Sequence, residues 1–126
     1  MKARIDTSDA PAAIGPYSQA IKANGFLFVS GQIALDPKTG QMDAVDAVAQ
    51  TRRVMENLKG ILSSQGLTFE DVVKTTIFLT DITDFSRIND VYASYMIGEP
   101  PARSTVQVAA LPRGAKVEIE LIATLP

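Results

Sequence analysis

The alternation of apolar and polar residues in the first third of the chain predicts two paired strands. Residues 19–25, QAIKANG, and residues 26–35, FLFVSGQIAL, both have strand character, and Asn24 and Gly25 stand between them. Asn-Gly favours the two-residue hairpin turn, because both turn positions take a positive φ. We therefore expect a hairpin here, and an extra strand at the N-terminus remains open.

Apolar residues at helical spacing predict two helices. The first covers about 46–65, with Asp43 or Asp46 as its N-cap and Gly66 at its end. The second covers about 85–96. The residues expected to face the core are Val45, Val48, Ala49, Met55, Leu58, Ile61 and Leu62 in the first helix, and Ile88, Val91, Tyr92 and Tyr95 in the second.

Three further runs predict strands. Residues 71–81 are apolar and β-branched, and residues 102–108, ARSTVQV, and 115–123, AKVEIELIA, alternate. The order ββ-α-β-α-ββ predicts an α+β fold in which two helices cover one face of a mixed sheet. The length suits a single domain over residues 1–126 with one sizeable core.

Alternation also predicts which side chains of the last two strands share a face. We expect these two strands to pair around the turn between them. Arg103 and Thr105 fall on one side of the alternation and Val106 and Val108 on the other. Glu118 and Glu120 alternate with apolar residues. If the apolar residues of both strands face the helices, all four polar side chains lie on the opposite, helix-free face. Such a face contacts solvent or another subunit.

Composition excludes several chemistries. The chain has no cysteine and no histidine, so disulfides, thiolate nucleophiles, Cys/His zinc sites and Ser-His-Asp triads are impossible. Proton transfer must use carboxylates, lysine, tyrosine, backbone groups or water. An all-oxygen Mg²⁺ or Ca²⁺ site stays formally open, although no run resembles an EF-hand loop.

Charge and hydropathy exclude several classes of partner. The net charge is −2 and the lysines and arginines are scattered, whereas binding to a nucleic-acid backbone favours a basic stripe. No apolar run approaches the ~20 residues of a membrane span, and residues 1–15 lack the apolar core of a secretory signal. We expect a cytoplasmic protein that binds neither nucleic acid nor membrane.

Arg103 near two glutamates has two interpretations. One is a cross-strand ion pair on a solvated face, worth about 0 to 1 kcal/mol. The other is a site for a small anion, in which arginine grips a carboxylate bidentately and a glutamate orients water or moves a proton.

Three other residues have equally ambiguous settings. Tyr17 follows a Gly-Pro turn, and Gly31 lies inside a strand, where glycine marks a bulge or a close approach. Asn89 lies on a helix, where a solvated or capping role is the simplest explanation. None of these residues is specific by itself.

Taken together, these segments resemble the reactive intermediate deaminase family, also called RidA or YjgF. The resemblance covers nearly the whole chain, and P-A-R-S followed by V-E-I-E is its most diagnostic part. The matching segments are APAAIGPYSQA, FVSGQIALDPKTG, MENLKGIL, VVKTTIFLTDITDF and PPARSTVQVAALPRGAKVEIELIA.

The resemblance implies a fold and an activity. The fold would be chorismate-mutase-like, with six strands and two helices, and three subunits would form a homotrimer with clefts between neighbours. The activity would be hydrolysis of 2-iminobutanoate and 2-iminopropanoate, or their enamine tautomers, to 2-oxo acids and ammonia. Pyridoxal-phosphate dehydratases would release these substrates, and the protein itself would need no cofactor and no metal.

The resemblance also implies roles for residues of the last two strands. Arg103 would bind the substrate carboxylate, and Glu118 would position the attacking water with help from a backbone carbonyl near Thr105. Thr105 stands where many members have cysteine, so a thiol would not be essential. Glu120 would be structural.

The remaining site residues would come from other parts of the chain. Tyr17 would close over the ligand from a neighbouring subunit, Ser30 and Gly31 would line the pocket, and Asn89 would lie at its edge. Residues 95–103 are shorter than is usual and lack a common aromatic residue, which affects substrate range.

Two other functions remain open. A binding module for small carboxylates would need the arginine alone, so the presence of Glu118 favours catalysis. An endoribonuclease, an activity also attributed to some members, is disfavoured by the acidic balance of the chain.

Overall fold

The computed structural model describes residues 1–126 and contains one six-stranded sheet with the order β1-β2-β3-β6-β4-β5. Neighbouring strands are antiparallel, except for β4 and β5, which are parallel. The strands are β1 (Ala3–Ile5), β2 (Ala20–Ala23), β3 (Phe26–Gln32), β4 (Val72–Leu79), β5 (Ala102–Gln107) and β6 (Val117–Thr124), and the helices are α1 (Ala47–Ser64) and α2 (Phe85–Tyr95). The predicted α+β class, with a mixed sheet and two helices, is confirmed.

The predicted hairpin joins β2 to β3. Asn24 and Gly25 have φ values of 52° and 81°, as a type I′ turn requires. The N-terminal strand that the sequence left open is present as β1, which pairs with β2.

Helix α1 begins where the sequence predicts. The carboxylate of Asp46 accepts a hydrogen bond of 2.8 Å from the backbone N–H of Ala49, and Gly66 follows the helix with a φ of 71°. Val45 was expected in the core but lies before the helix and is 77% exposed. The N-cap is therefore Asp46, and its position moves Val45 off the apolar face.

The inner face of α1 also carries polar residues that the apolar pattern did not predict. Gln50, Thr51 and Asn57 are buried. The amide of Asn57 donates to the carbonyl oxygen of Leu35 at 2.9 Å and accepts from Nε of Arg53 at 3.1 Å. Because buried polar groups need such partners, Asn57 ties the helix to the loop after β3.

Both helices pack on the same face of the sheet and form one apolar core with it. Helix α1 contacts α2, β3 and β6, and Tyr92 of α2 shares a hydrogen bond of 2.7 Å with Thr75 of β4. The core residues Leu27, Ile77 and Ile119 come from three adjacent strands and are fully buried. No helix has the length and apolar character needed to cross a membrane.

The expected pairing between the last two strands is wrong. Strand β4 lies between β5 and β6, and β5 is an edge strand. Its one valine, Val106, is 42% exposed, so this residue does not mark the core-facing side. On an edge strand that the chain's own helices do not cover, apolar alternation alone does not indicate which face is buried.

Candidate functional site

The sheet separates the two charged residues of greatest interest. In β5, Arg103 is the partner of Thr75, which is buried under the helices. In β6, Glu118 is the partner of Phe78, on the other face. Since directly paired residues point to the same side of a sheet, the expectation that Arg103 shares a face with Glu118 is wrong.

The same register places the other two polar residues. Thr105 pairs with the buried Ile77 and therefore lies on the helix side with Arg103. Glu120 pairs with Thr76 and lies on the helix-free face with Glu118. Two residue groups on opposite faces thus replace the single cluster that the sequence predicts.

The first group surrounds a groove of about 690 Å³ on the helix-free side. Its lining includes five residues singled out in the sequence, namely Tyr17, Ser30, Gly31, Glu118 and Glu120. The groove therefore collects residues from the segment before β2, from β3 and from β6.

Glu118 is the half-buried carboxylate of this groove. Burial raises its pKa above the usual value of 4.5, and the nearby negative charge of Glu120 raises that pKa further. A carboxyl group whose pKa is raised keeps its proton to a higher pH than a fully hydrated glutamate does.

Gly31 makes room for that carboxylate. It lies in a β-bulge between Val29 and Gln32 of β3, which confirms the bulge that a glycine inside a strand suggests. A Cβ atom at Gly31 would lie only 2.9 Å from Cδ and 3.0 Å from Cγ of Glu118. Any larger residue would therefore displace the carboxyl group of Glu118.

Ser30 fixes the segment before β2 that carries Tyr17. Its hydroxyl donates to the carbonyl oxygen of Ser18 at 2.6 Å, and its N–H donates to the carbonyl oxygen of Gln19 at 3.0 Å. Gly15 takes a φ of 127°, and Tyr17 remains 55% exposed at the groove. Ser30 therefore shapes the groove by holding the backbone of Ser18 and Gln19 in place.

Gln19 is a buried residue of this region that the sequence did not single out. Its amide donates to the carbonyl oxygens of Thr7 and Pro11 at 3.0 and 2.8 Å and accepts from the N–H of Thr7 at 2.7 Å. It thereby holds the N-terminal segment whose Pro11 and Ile14 form one wall of the groove. A single glutamine beside a strand gives no pattern that would reveal this role.

The second group lies at the β5 edge, beside α2. Arg103 is exposed, and its Nη1 donates to Oδ1 of Asn89 at 2.7 Å. Its guanidinium carbon lies 5.0 Å from the ring centroid of Tyr92 and 5.5 Å from that of Phe85. These neutral partners hold the guanidinium group by a hydrogen bond and cation–π contacts.

Arg103 keeps its charge available for a ligand. The ion pairs of the structure join Arg4 to Asp6 and Arg87 to Asp84, so Arg103 has no carboxylate partner. The interpretation as a cross-strand ion pair is therefore wrong for this chain. Asn89 and Arg103 line a shallow pocket of about 390 Å³, and Thr105 lines neither this pocket nor the groove.

The chain belongs to the YjgF/RidA family. A family model described as Endoribonuclease L-PSP matches residues 7–125. Protein DfrA of Myxococcus xanthus is 60% identical over 94% of this chain and 92% of its own length. The 2-iminobutanoate/2-iminopropanoate deaminase of Mus musculus is 49% identical over 94% of this chain and 88% of its own length.

Solved structures of relatives have the same fold. The crystal structure of TdcF from Escherichia coli, with bound serine, matches with a TM-score of 0.93 and 42% identity. The match covers 98% of this chain and 99% of that one.

Proposed function

We propose that this protein hydrolyses 2-iminobutanoate and 2-iminopropanoate, and their enamine tautomers, to the 2-oxo acids and ammonia. The observation that carries this proposal is the pair of unsatisfied charges: Arg103 has no acidic partner, and Glu118 has a raised pKa in a groove. The Mus musculus relative with this activity in its name supports the proposal.

The proposed site requires two copies of the chain, because Arg103 and Glu118 lie on opposite faces of one sheet. A head-to-tail contact would place the β5 edge of one copy against the groove of the next, and such contacts close into a ring. We propose a homotrimer with one site at each contact. The helix-free face carries three exposed apolar residues, Phe26, Phe28 and Val106. Exposed apolar residues support a contact with another copy on this face.

In the proposed reaction, the guanidinium of Arg103 binds the substrate carboxylate through two parallel hydrogen bonds. Glu118, with a backbone carbonyl near Thr105 of the neighbouring copy, orients a water molecule toward the imine carbon. The iminium and water then give the ketone and ammonium, and most of the rate comes from positioning.

The other residues have supporting roles in this proposal. Tyr17 closes over the ligand, Ser30 and Gly31 line the pocket, and Asn89 orients Arg103. The chemistry needs no cofactor, and pyridoxal-phosphate dehydratases supply the unstable substrate.

The first test couples a threonine dehydratase to this protein and follows the formation of 2-oxobutanoate. Wild type should accelerate the release, and Arg103→Ala should lose the acceleration, because a charge-assisted contact in a closed site is worth about 2 to 5 kcal/mol. Size-exclusion chromatography of Arg103→Ala checks that assembly survives. Full activity of Arg103→Ala would refute the assignment of this residue.

Binding without turnover is the second candidate, and the serine bound in the TdcF structure favours it. The same assay decides between the two functions. A wild-type protein that binds 2-oxobutanoate but does not accelerate its release would be a binding module.

The family description also names an endoribonuclease. The net charge of −2 and a calculated isoelectric point of about 5.0 disfavour RNA as a ligand. We expect the protein to pass through a heparin column at neutral pH and low salt. Retention that weakens steeply with added salt would contradict this expectation.

A further inference from the structure

The groove around Glu118 contains a second cation that the proposed reaction does not use. Arg113 lies in the short turn between β5 and β6 and lines the groove together with Tyr17, Gly31 and Glu118. Among all the residues that line the groove, Arg113 is the only basic one.

The local backbone holds Arg113 in an unusual conformation. Its φ is 57° and its ψ is 25°, which is the left-handed region that residues other than glycine rarely adopt. Asn24 is the other such residue, and the hairpin turn explains its conformation. Strained conformations of this kind persist where the surroundings fix them, and they occur most often at functional sites.

The side chain of Arg113 is exposed and makes one hydrogen bond within the chain. Its Nη1 donates to the carbonyl oxygen of Gly40 at 3.0 Å, which ties the turn to the loop after β3. A guanidinium has five N–H groups, so most of its donors remain for a ligand.

The charge of Arg113 is not neutralised within the chain. Arg113 takes part in neither ion pair of the structure. The pKa of Glu118 is raised by burial and by Glu120. The guanidinium is therefore an uncompensated positive charge in a groove that otherwise carries two carboxylates.

We propose that Arg113 binds a distal carboxylate, so that the substrates of this site include 2-imino dicarboxylic acids, such as those formed by oxidation of glutamate. This inference rests on the proposed function, in which Arg103 of a neighbouring copy binds the carboxylate next to the imine. Arg113 and Glu118 line the same groove, which measures about 690 Å³ in the single chain, before a neighbouring copy covers it.

The test compares two imines, made in the assay from glutamate and from 2-aminobutanoate by amino-acid oxidases with catalase. Semicarbazide traps the imine that remains, so hydrolysis by the protein lowers the trapped product. The quantity measured is the ratio of kcat/KM for the dicarboxylic imine to that for the monocarboxylic imine.

Three variants test the role of the charge. Arg113→Asn removes the charge but keeps a residue that tolerates the left-handed backbone, and it should lower the ratio about ten-fold, the loss expected for one charge-assisted hydrogen bond. Arg113→Lys should restore part of the ratio. Lys116→Asn, which removes a neighbouring charge outside the groove, should leave the ratio at the wild-type value.

The outcomes separate this inference from the proposed function. An unchanged ratio in Arg113→Asn would overturn the inference. If both kcat/KM values fell by the same factor, Arg113 would be assigned to the carboxylate that all substrates share, which would also overturn the inference. Wild type that hydrolyses only the monocarboxylic imine would overturn it and leave the proposed function standing. Wild type that hydrolyses neither imine would overturn the proposed function itself.

Discussion

Gly31 and Glu118 are linked by steric contact, because the space that a Cβ atom would need at position 31 is occupied by the carboxyl group at position 118. We expect Gly31→Ala to lower deaminase activity at least ten-fold, because it shifts Glu118 away from the water that it is proposed to orient. A steady-state assay of 2-oxobutanoate formation measures this effect.

A double-mutant cycle on unfolding free energy provides the control for Gly31→Ala. The substitution should destabilise wild type, and most of that cost should disappear when Glu118→Ala removes the colliding group. An equal cost in both backgrounds would show that the bulge itself, and not the carboxylate, requires glycine.

The raised pKa of Glu118 predicts how its contribution to stability varies with pH. Below the usual value of 4.5, the carboxyl group is protonated in both the folded and the unfolded state. As the pH rises through the raised pKa, the unfolded state loses its proton more readily, so the folded state loses stability. Glutamine does not titrate and therefore avoids this loss.

We expect Glu118→Gln to stabilise the protein more at neutral pH than well below pH 4.5. Thermal unfolding should be measured in an Arg103→Ala background, so that the guanidinium of a neighbouring copy does not affect the carboxylate. A greater advantage of glutamine in acid would mean that the folded state lowers the pKa of Glu118.

At the scale of elements, the sequence predicts those turns and helix ends that depend on interactions between residues close together in the chain. The turn at Asn24 and Gly25 depends on two residues, and the start of α1 depends on the contact between Asp46 and Ala49. The hairpin turn was predicted as it is found, and Asp46 was one of the two expected N-caps of α1. The causes of both features lie within four residues of chain.

Strand β5 shows where local interactions stop being sufficient. Its alternation is clear, but the choice of neighbouring strand and of facing side depends on β4, which is distant in sequence. The position of Arg103 on the helix side follows from that pairing. Gln19 is a similar case, because its partners, Thr7 and Pro11, become visible only when the segment before β2 has folded back.

At the scale of the whole molecule, the proposed site between copies can be tested by complementation. Arg103→Ala and Glu118→Gln should each be inactive alone. If they are unfolded and refolded together, roughly a quarter of the contacts in a ring should combine an intact Arg103 with an intact Glu118. The 2-oxobutanoate assay should show that fraction of the activity return.

The matched control replaces Glu118→Gln by the double variant Arg103→Ala/Glu118→Gln. This mixture contains no intact Arg103, so it should stay inactive. Mixed assemblies that are verified by native mass spectrometry and remain inactive would contradict a site shared between neighbouring copies.

The separation of Arg103 and Glu118 by the sheet has a genetic consequence if the ring is correct. A substitution at Arg103 would silence the groove of the adjacent subunit and leave the altered subunit's own groove usable. In a cell that makes both normal and altered chains, the defect would therefore appear one subunit away from the changed residue. Two different recessive alleles could then restore each other's activity, whereas two alleles at the same position could not.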